Sequence, residues 1–118
     1  MAEGLTTESY TVDEDITVIK IGGRLDGAGA EEFRKEVETL IDDGKIKLII
    51  DCARLGYISS YGIGILVALQ SRLVKRGGQV KLAAIQGVVA DVLKVVKLGR
   101  LLDMYGDTEF ARQSFYED

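Results

Sequence analysis

Lys47–Leu69, KLIIDCARLGYISSYGIGILVAL, is the stretch on which the fold turns. Leu48, Ile49 and Ile50 form a continuous apolar run too short for a helix, the pattern of a central strand covered on both faces. Asp51 reads as the end of that strand, a short loop follows, and Ser59-Ser60 opens a helix over about 60–76. Ile63, Ile65, Leu66, Val67, Ala68, Leu69, Leu73 and Val74 make that helix apolar nearly all round, so deep burial is expected. Arg72, Lys75 and Arg76 suit its negative dipole end, and Gly77-Gly78 terminates it. Hydroxyls at its start meet backbone N–H groups that lack partners and a dipole that favours negative charge. A serine there is a cap, an anion site or an acceptor for a phosphate.

On the N-terminal side, residues 1–4 are expected to fray. Leu5 to Val12 is rich in β-formers, Asp13-Glu14-Asp15 is a polar turn, and Ile16, Val18 and Ile21 alternate with polar neighbours. This reads as a hairpin whose second strand ends at Gly22-Gly23. Residues 26–30, DGAGA, form a loop into a helix over about 30–43, with Phe33, Val37, Leu40 and Ile41 on one face. On the C-terminal side, Val80, Leu82 and Ala84 predict a fourth strand and residues 88–97 a third helix. Met104-Tyr105 predicts a short edge strand, and a last helix begins near Asp107 or Thr108 and carries Phe110 and Phe115. Alternating helices and strands argue an α/β layer fold with a mixed sheet.

Several chemistries are excluded by composition. The 118 residues include no histidine, which removes Ser-His-Asp and Cys-His catalysis and any His-containing zinc or haem site. Cys52 is the only cysteine, so no intrachain disulfide and no thiolate cluster can form; a small buried filler is its natural role. A net charge of −4 and scattered basic residues argue against nucleic acid as a partner. The start MAEGLTTESY lacks signal-peptide features, and Arg72 and Lys75 interrupt the longest apolar run, so no membrane span is expected. A reducing cytoplasm is the expected location.

With Ile50-Asp51, Ser60-x-Gly62-x-Gly64 and the later VLKVVKLGRLLDMYGD in view, the chain resembles the STAS family, the bacterial anti-sigma factor antagonists. The resemblance spans about Leu5 to Phe115 and implies one α/β domain over 1–118, with a mixed sheet of four to five strands and about four helices packed on it. It places Ser60 on the family's phospho-accepting serine and Asp26 on an acidic residue in the loop near it. Two residues depart from the usual Asp-Ser-Ser/Thr-Gly-Leu-Gly core. Ser59 stands in place of Asp, removing a carboxylate beside the acceptor, and Tyr61 stands in place of Ser or Thr, adding bulk.

The resemblance implies a non-enzymatic switch with no cofactor and no metal of its own. Its partners would be an anti-sigma factor with serine kinase activity and a resetting serine phosphatase, the chain itself being a monomer or weak dimer. Candidate partner-binding residues are Asp26, Asp51, Tyr57, Ser59, Ser60, Tyr61, Gly62 and Gly64, with Ser60 (alternatively Ser59) as the phosphorylation site. Each residue also has a plainer role. The serines cap a helix. Gly62 and Gly64 allow close packing, or else a bare backbone for a partner to approach. Asp51 and Asp26 accept turn N–H bonds. Tyr57 and Tyr61 pack a loop or anchor an interface. Two other readings keep the fold: a scaffold in a larger regulatory or transport assembly that needs no phosphate, and a binder of small anions at the helix tip.

Overall fold

A computed structural model describes residues 4–117; of the residues expected to fray, 1–3 lie outside them, and Gly4 is exposed. Five strands, β1 (Leu5–Val12), β2 (Ile16–Leu25), β3 (Lys47–Ile58), β4 (Gln79–Ala83) and β5 (Asp103–Tyr105), form one sheet in sequence order. The β1–β2 hairpin is antiparallel and every later pairing is parallel. The crossovers carry α1 (Gly27–Asp42), α2 (Ser60–Lys75) and α3 (Gly87–Val95). Strands laid down in one direction by crossovers of one hand put these three helices on the same face of the sheet. One core forms there, in which Phe33, Ile41, Leu48, Ile50, Cys52, Leu73 and Leu82 are all buried. Helix α4 (Thr108–Ser114) returns to the opposite face, where Ala111 and Phe115 pack on Ile16, Val18 and Ile49.

Three local expectations are corrected. Strand β2 does not stop at Gly22-Gly23: Gly23 takes φ +89° at a register shift against β3, and the strand runs on to Leu25. The glycine pair therefore makes a bulge rather than an end. Strand β3 does not close at Asp51 either; it continues to Ile58, paired with the second half of β2. Helix α1 starts at Gly27 instead of near residue 30, so DGAGA is mostly helix.

Helix α2 matches its expected span, but its burial is one-sided. Gly62, Ile65, Leu66, Leu69 and Leu73 face the sheet while Val74 is exposed. Cys52 is the expected buried filler, and burial, with Asp51 adjacent, pushes its thiol up to about 12. Lys81 is buried against α4, where its Nζ donates to Ser114 Oγ at 2.6 Å and lies 4.4 Å from the Phe115 ring centroid. That places it across the sheet from α2, away from Ser60. No helix among the described residues is long and apolar enough to cross a membrane.

Candidate functional site

The carbonyl of Leu25, the last residue of β2, organises the site. It accepts the Ser59 backbone N–H at 3.1 Å and the Ser59 hydroxyl at 3.4 Å. Ser59 Oγ in turn accepts the Gly62 N–H at 3.1 Å, so Ser59 is the N-cap of α2. A Cβ on Gly62 would drive into the same Leu25 carbonyl oxygen, and the close approach of β2 and α2 depends on that glycine. Gly64 has open space around it. The two readings of the glycines thus divide: Gly62 is the packing glycine and Gly64 the bare one.

Ser60 is the first helical residue, and it is exposed. Among the described residues nothing hydrogen-bonds its hydroxyl. Capping and availability therefore fall on different serines. Ser59→Ala is expected to lower stability by about 1 kcal/mol through loss of the cap, and Ser60→Ala to stay within about 0.5 kcal/mol of wild type. Urea denaturation of both variants checks this, and equal losses would refute the division.

Asp26 follows Leu25 directly and so is held beside the start of α2. It occupies the N-cap position of α1 without a side-chain cap bond; its carboxylate instead accepts from Arg24 Nε at 3.0 Å. The Arg24 guanidinium lies 4.0 Å from the Tyr57 ring centroid, and Tyr57 is 38% exposed. Tyr61, 49% exposed, donates its hydroxyl to Glu31 Oε1 at 2.8 Å. Glu31 pairs with Arg34, Arg34 with Glu38, and Glu38 and Asp42 with Arg72, a chain of ions that ties α1 to α2.

Asp26, Tyr57, Ser59, Ser60, Tyr61, Gly62 and Gly64 thus gather around the carboxyl ends of β2 and β3 and the tip of α2. Asp51 does not join them. It pairs in register with Lys20 and Ala83, accepts the Ala53 N–H at 3.0 Å, and lies seven strand residues before Ile58. At about 3.3 Å per residue that is roughly 20 Å away. Its plainer role, accepting a nearby backbone N–H, is the one the structure displays.

Arg24 and Glu31 are members of the site that sequence reading missed. The spacing of Glu31, Arg34 and Glu38 signals an ion-paired helix face, but nothing local signals that Tyr61 reaches it from another helix. Hydrogen bonds from Arg34, then from Tyr61, hold the Glu31 carboxyl down at about 2, against an ordinary 4.5. The same bond to Glu31 raises the Tyr61 hydroxyl. A depressed carboxyl stabilises the fold fully above the unfolded value, and that contribution is lost as pH falls through the folded one. Glu31→Gln is accordingly expected to flatten the acid limb of stability between about pH 4.5 and pH 2. Urea midpoints across that window measure it, and parallel curves for the two proteins would remove Glu31 from the account. Among the described residues no group of three or more acidic or cysteine side chains is placed to hold a metal.

The STAS domain family model matches residues 9–111. BtrV of Bordetella bronchiseptica, provisionally named an anti-sigma factor antagonist, is 25% identical over 93 residues, covering 79% of this chain and 80% of that one. An anti-sigma factor antagonist from Mycobacterium paratuberculosis superposes with a TM-score of 0.86 at 20% identity, over 97% of this chain and 96% of that one. The anti-sigma factor antagonist SpoIIAA in its unphosphorylated form gives a TM-score of 0.79 at 22% identity, over 96% of this chain and 99% of that one. Its phosphorylated form, from Bacillus, gives 0.71 at 22% identity, over 92% and 99%.

Proposed function

The chain belongs to the STAS domain family, and on that premise we propose that it is an anti-sigma factor antagonist switched by phosphorylation of Ser60. Unmodified, it docks through Tyr57, Tyr61 and the tip of α2 onto an anti-sigma factor with serine kinase activity, in the cytoplasm, and a sigma factor is released. The kinase then transfers the γ-phosphoryl group of its own ATP. Ser60 Oγ forms the new O–P bond, the β–γ bridging bond breaks, ADP leaves, and the hydroxyl proton passes to a base on the kinase. A serine phosphatase resets the switch by hydrolysis. The nucleotide belongs to the partner, so this chain acts without a cofactor.

One observation carries the reading: Ser59 is consumed by the cap while the Ser60 hydroxyl beside it stands exposed, with no hydrogen-bond partner among the described residues. The name given to BtrV and the two forms of SpoIIAA support it. Incubating the chain with its cognate kinase and labelled ATP tests it. Label is expected on wild type and Ser59→Ala and none on Ser60→Ala; label persisting in Ser60→Ala overturns the assignment.

A further inference from the structure

Helix α3, the 3-10 turn at Leu98–Arg100 and β5 line an open cleft of about 520 Å3, a size typical of small-molecule sites. Of the lining residues Leu93 is buried, Ile85 and Met104 are half-buried, and carbon lines most of the surface. Lys94, Lys97 and Arg100 stand around it, all exposed. Five of the fifteen basic residues pair with a carboxylate; among the described residues these three belong to the ten that do not. In a chain of net charge −4, three unpaired cations around one apolar cleft form a local positive field.

The backbone adds a second observation. Lys97 ends α3 with φ 58° and ψ 41°, the left-handed conformation. Glycine is the ordinary residue at such a helix end and adopts it without steric penalty. Lys97 takes it with the Cβ penalty that Asp13, Glu14 and Ala84 also carry at positive φ, and among these four it alone lines the cleft. Val95, Val96 and Leu101, the chain neighbours of Lys94, Lys97 and Arg100, are exposed.

Apolar walls with a cationic mouth fit an amphipathic anion. Among the described residues Tyr105 is the one aromatic that lines it, so the cleft has little to stack or read a nucleotide base. We infer that it binds a single-chain acyl carboxylate, the chain lying along Ile85, Leu93 and Met104 and the carboxylate among Lys94, Lys97 and Arg100. This site is separate from the tip of α2 and does not depend on the phosphorylation reading.

Calorimetry on the full chain with monomeric laurate, dodecyltrimethylammonium and phosphatidylglycerol vesicles tests it. The chain has two methionines, so the Met104 methyl resonance reports occupancy directly. Saturable one-to-one binding of laurate that moves that resonance is expected, at least about fivefold tighter than the ammonium amphiphile. Lys97→Gly relieves the backbone and keeps the fold, yet is expected to weaken laurate binding several-fold, and Lys94→Gln with Arg100→Gln further. Equal affinity for both amphiphiles, unchanged affinity in the variants, a static Met104 signal, or binding to vesicles alone would each overturn the inference.

Discussion

A phosphate on Ser60 is expected to weaken docking to the cognate anti-sigma factor about a hundredfold or more, with the chain's own melting midpoint shifted by less than about 3 °C. Two properties of the tip of α2 account for the contrast. In the free chain the Gly62 N–H is taken by Ser59 Oγ and the Ile63 N–H by the Ser59 carbonyl, leaving the first N–H groups of the helix to face an added anion. The dipole favours that anion by about 0.3–1 kcal/mol. The Asp26 carboxylate, held nearby through Leu25, opposes it by like charge. Arg24 already pairs with that carboxylate and weakens the repulsion, and because Ser60 is exposed no desolvation is added.

Docking removes that solvent. A dianion covered by a partner surface shaped for a hydroxyl loses hydration worth several kcal/mol, and about 3 kcal/mol corresponds to more than a hundredfold in affinity. Titrating the anti-sigma factor with unmodified chain, phosphorylated chain and Ser60→Glu measures the effect. The carboxylate variant should fall between the other two, since it carries less charge and bulk than a phosphate. Affinities within threefold of one another across all three would refute the switch and favour the phosphate-independent scaffold.

Local patterns were enough to place most elements, because the interactions that define them are local. Phe33, Val37 and Ile41 recur along one face of α1, and Leu48–Ile50 can only be a covered strand. Where local pattern misleads, the missing partner is distant in sequence. In residues 52–58 Arg54 and Gly56 interrupt the apolar run, and the stretch is strand because Gly22–Leu25 pair with it across the Gly23 bulge. The same long-range pairing moves Asp51 into mid-strand and out of the site. The capping preference of serine marked the start of α2 correctly, but which serine caps and which stays free was settled by the carbonyl of Leu25, more than thirty residues earlier. Tyr61 and Glu31 likewise meet only because α1 and α2 pack side by side.

That dependence on Leu25 makes Gly62 the most sensitive backbone position at the site, and Gly64, two residues on, should respond in the opposite direction. On helix propensity alone, alanine at either position gains about 1 kcal/mol. At Gly64 a methyl group meets nothing within 4 Å, so Gly64→Ala is expected to keep most of that gain. At Gly62 it meets the Leu25 carbonyl oxygen, and Ile58 Cγ1 and Leu25 Cγ at 3.2 Å each. Backbone cannot rotate aside as a flexible side chain can, so the first turn of α2 must lift from β2. Overpacking of this kind costs about 1–3 kcal/mol beyond the propensity gain, and the shift also breaks the bonds of Ser59 to Leu25. Gly62→Ala should therefore unfold at lower urea and bind the anti-sigma factor more weakly, because Ser60 and Asp26 no longer hold their spacing. Denaturation and binding measured on both variants decide the matter. Stabilisation of Gly62→Ala to the level of Gly64→Ala would show that the Leu25 carbonyl does not position the tip of α2.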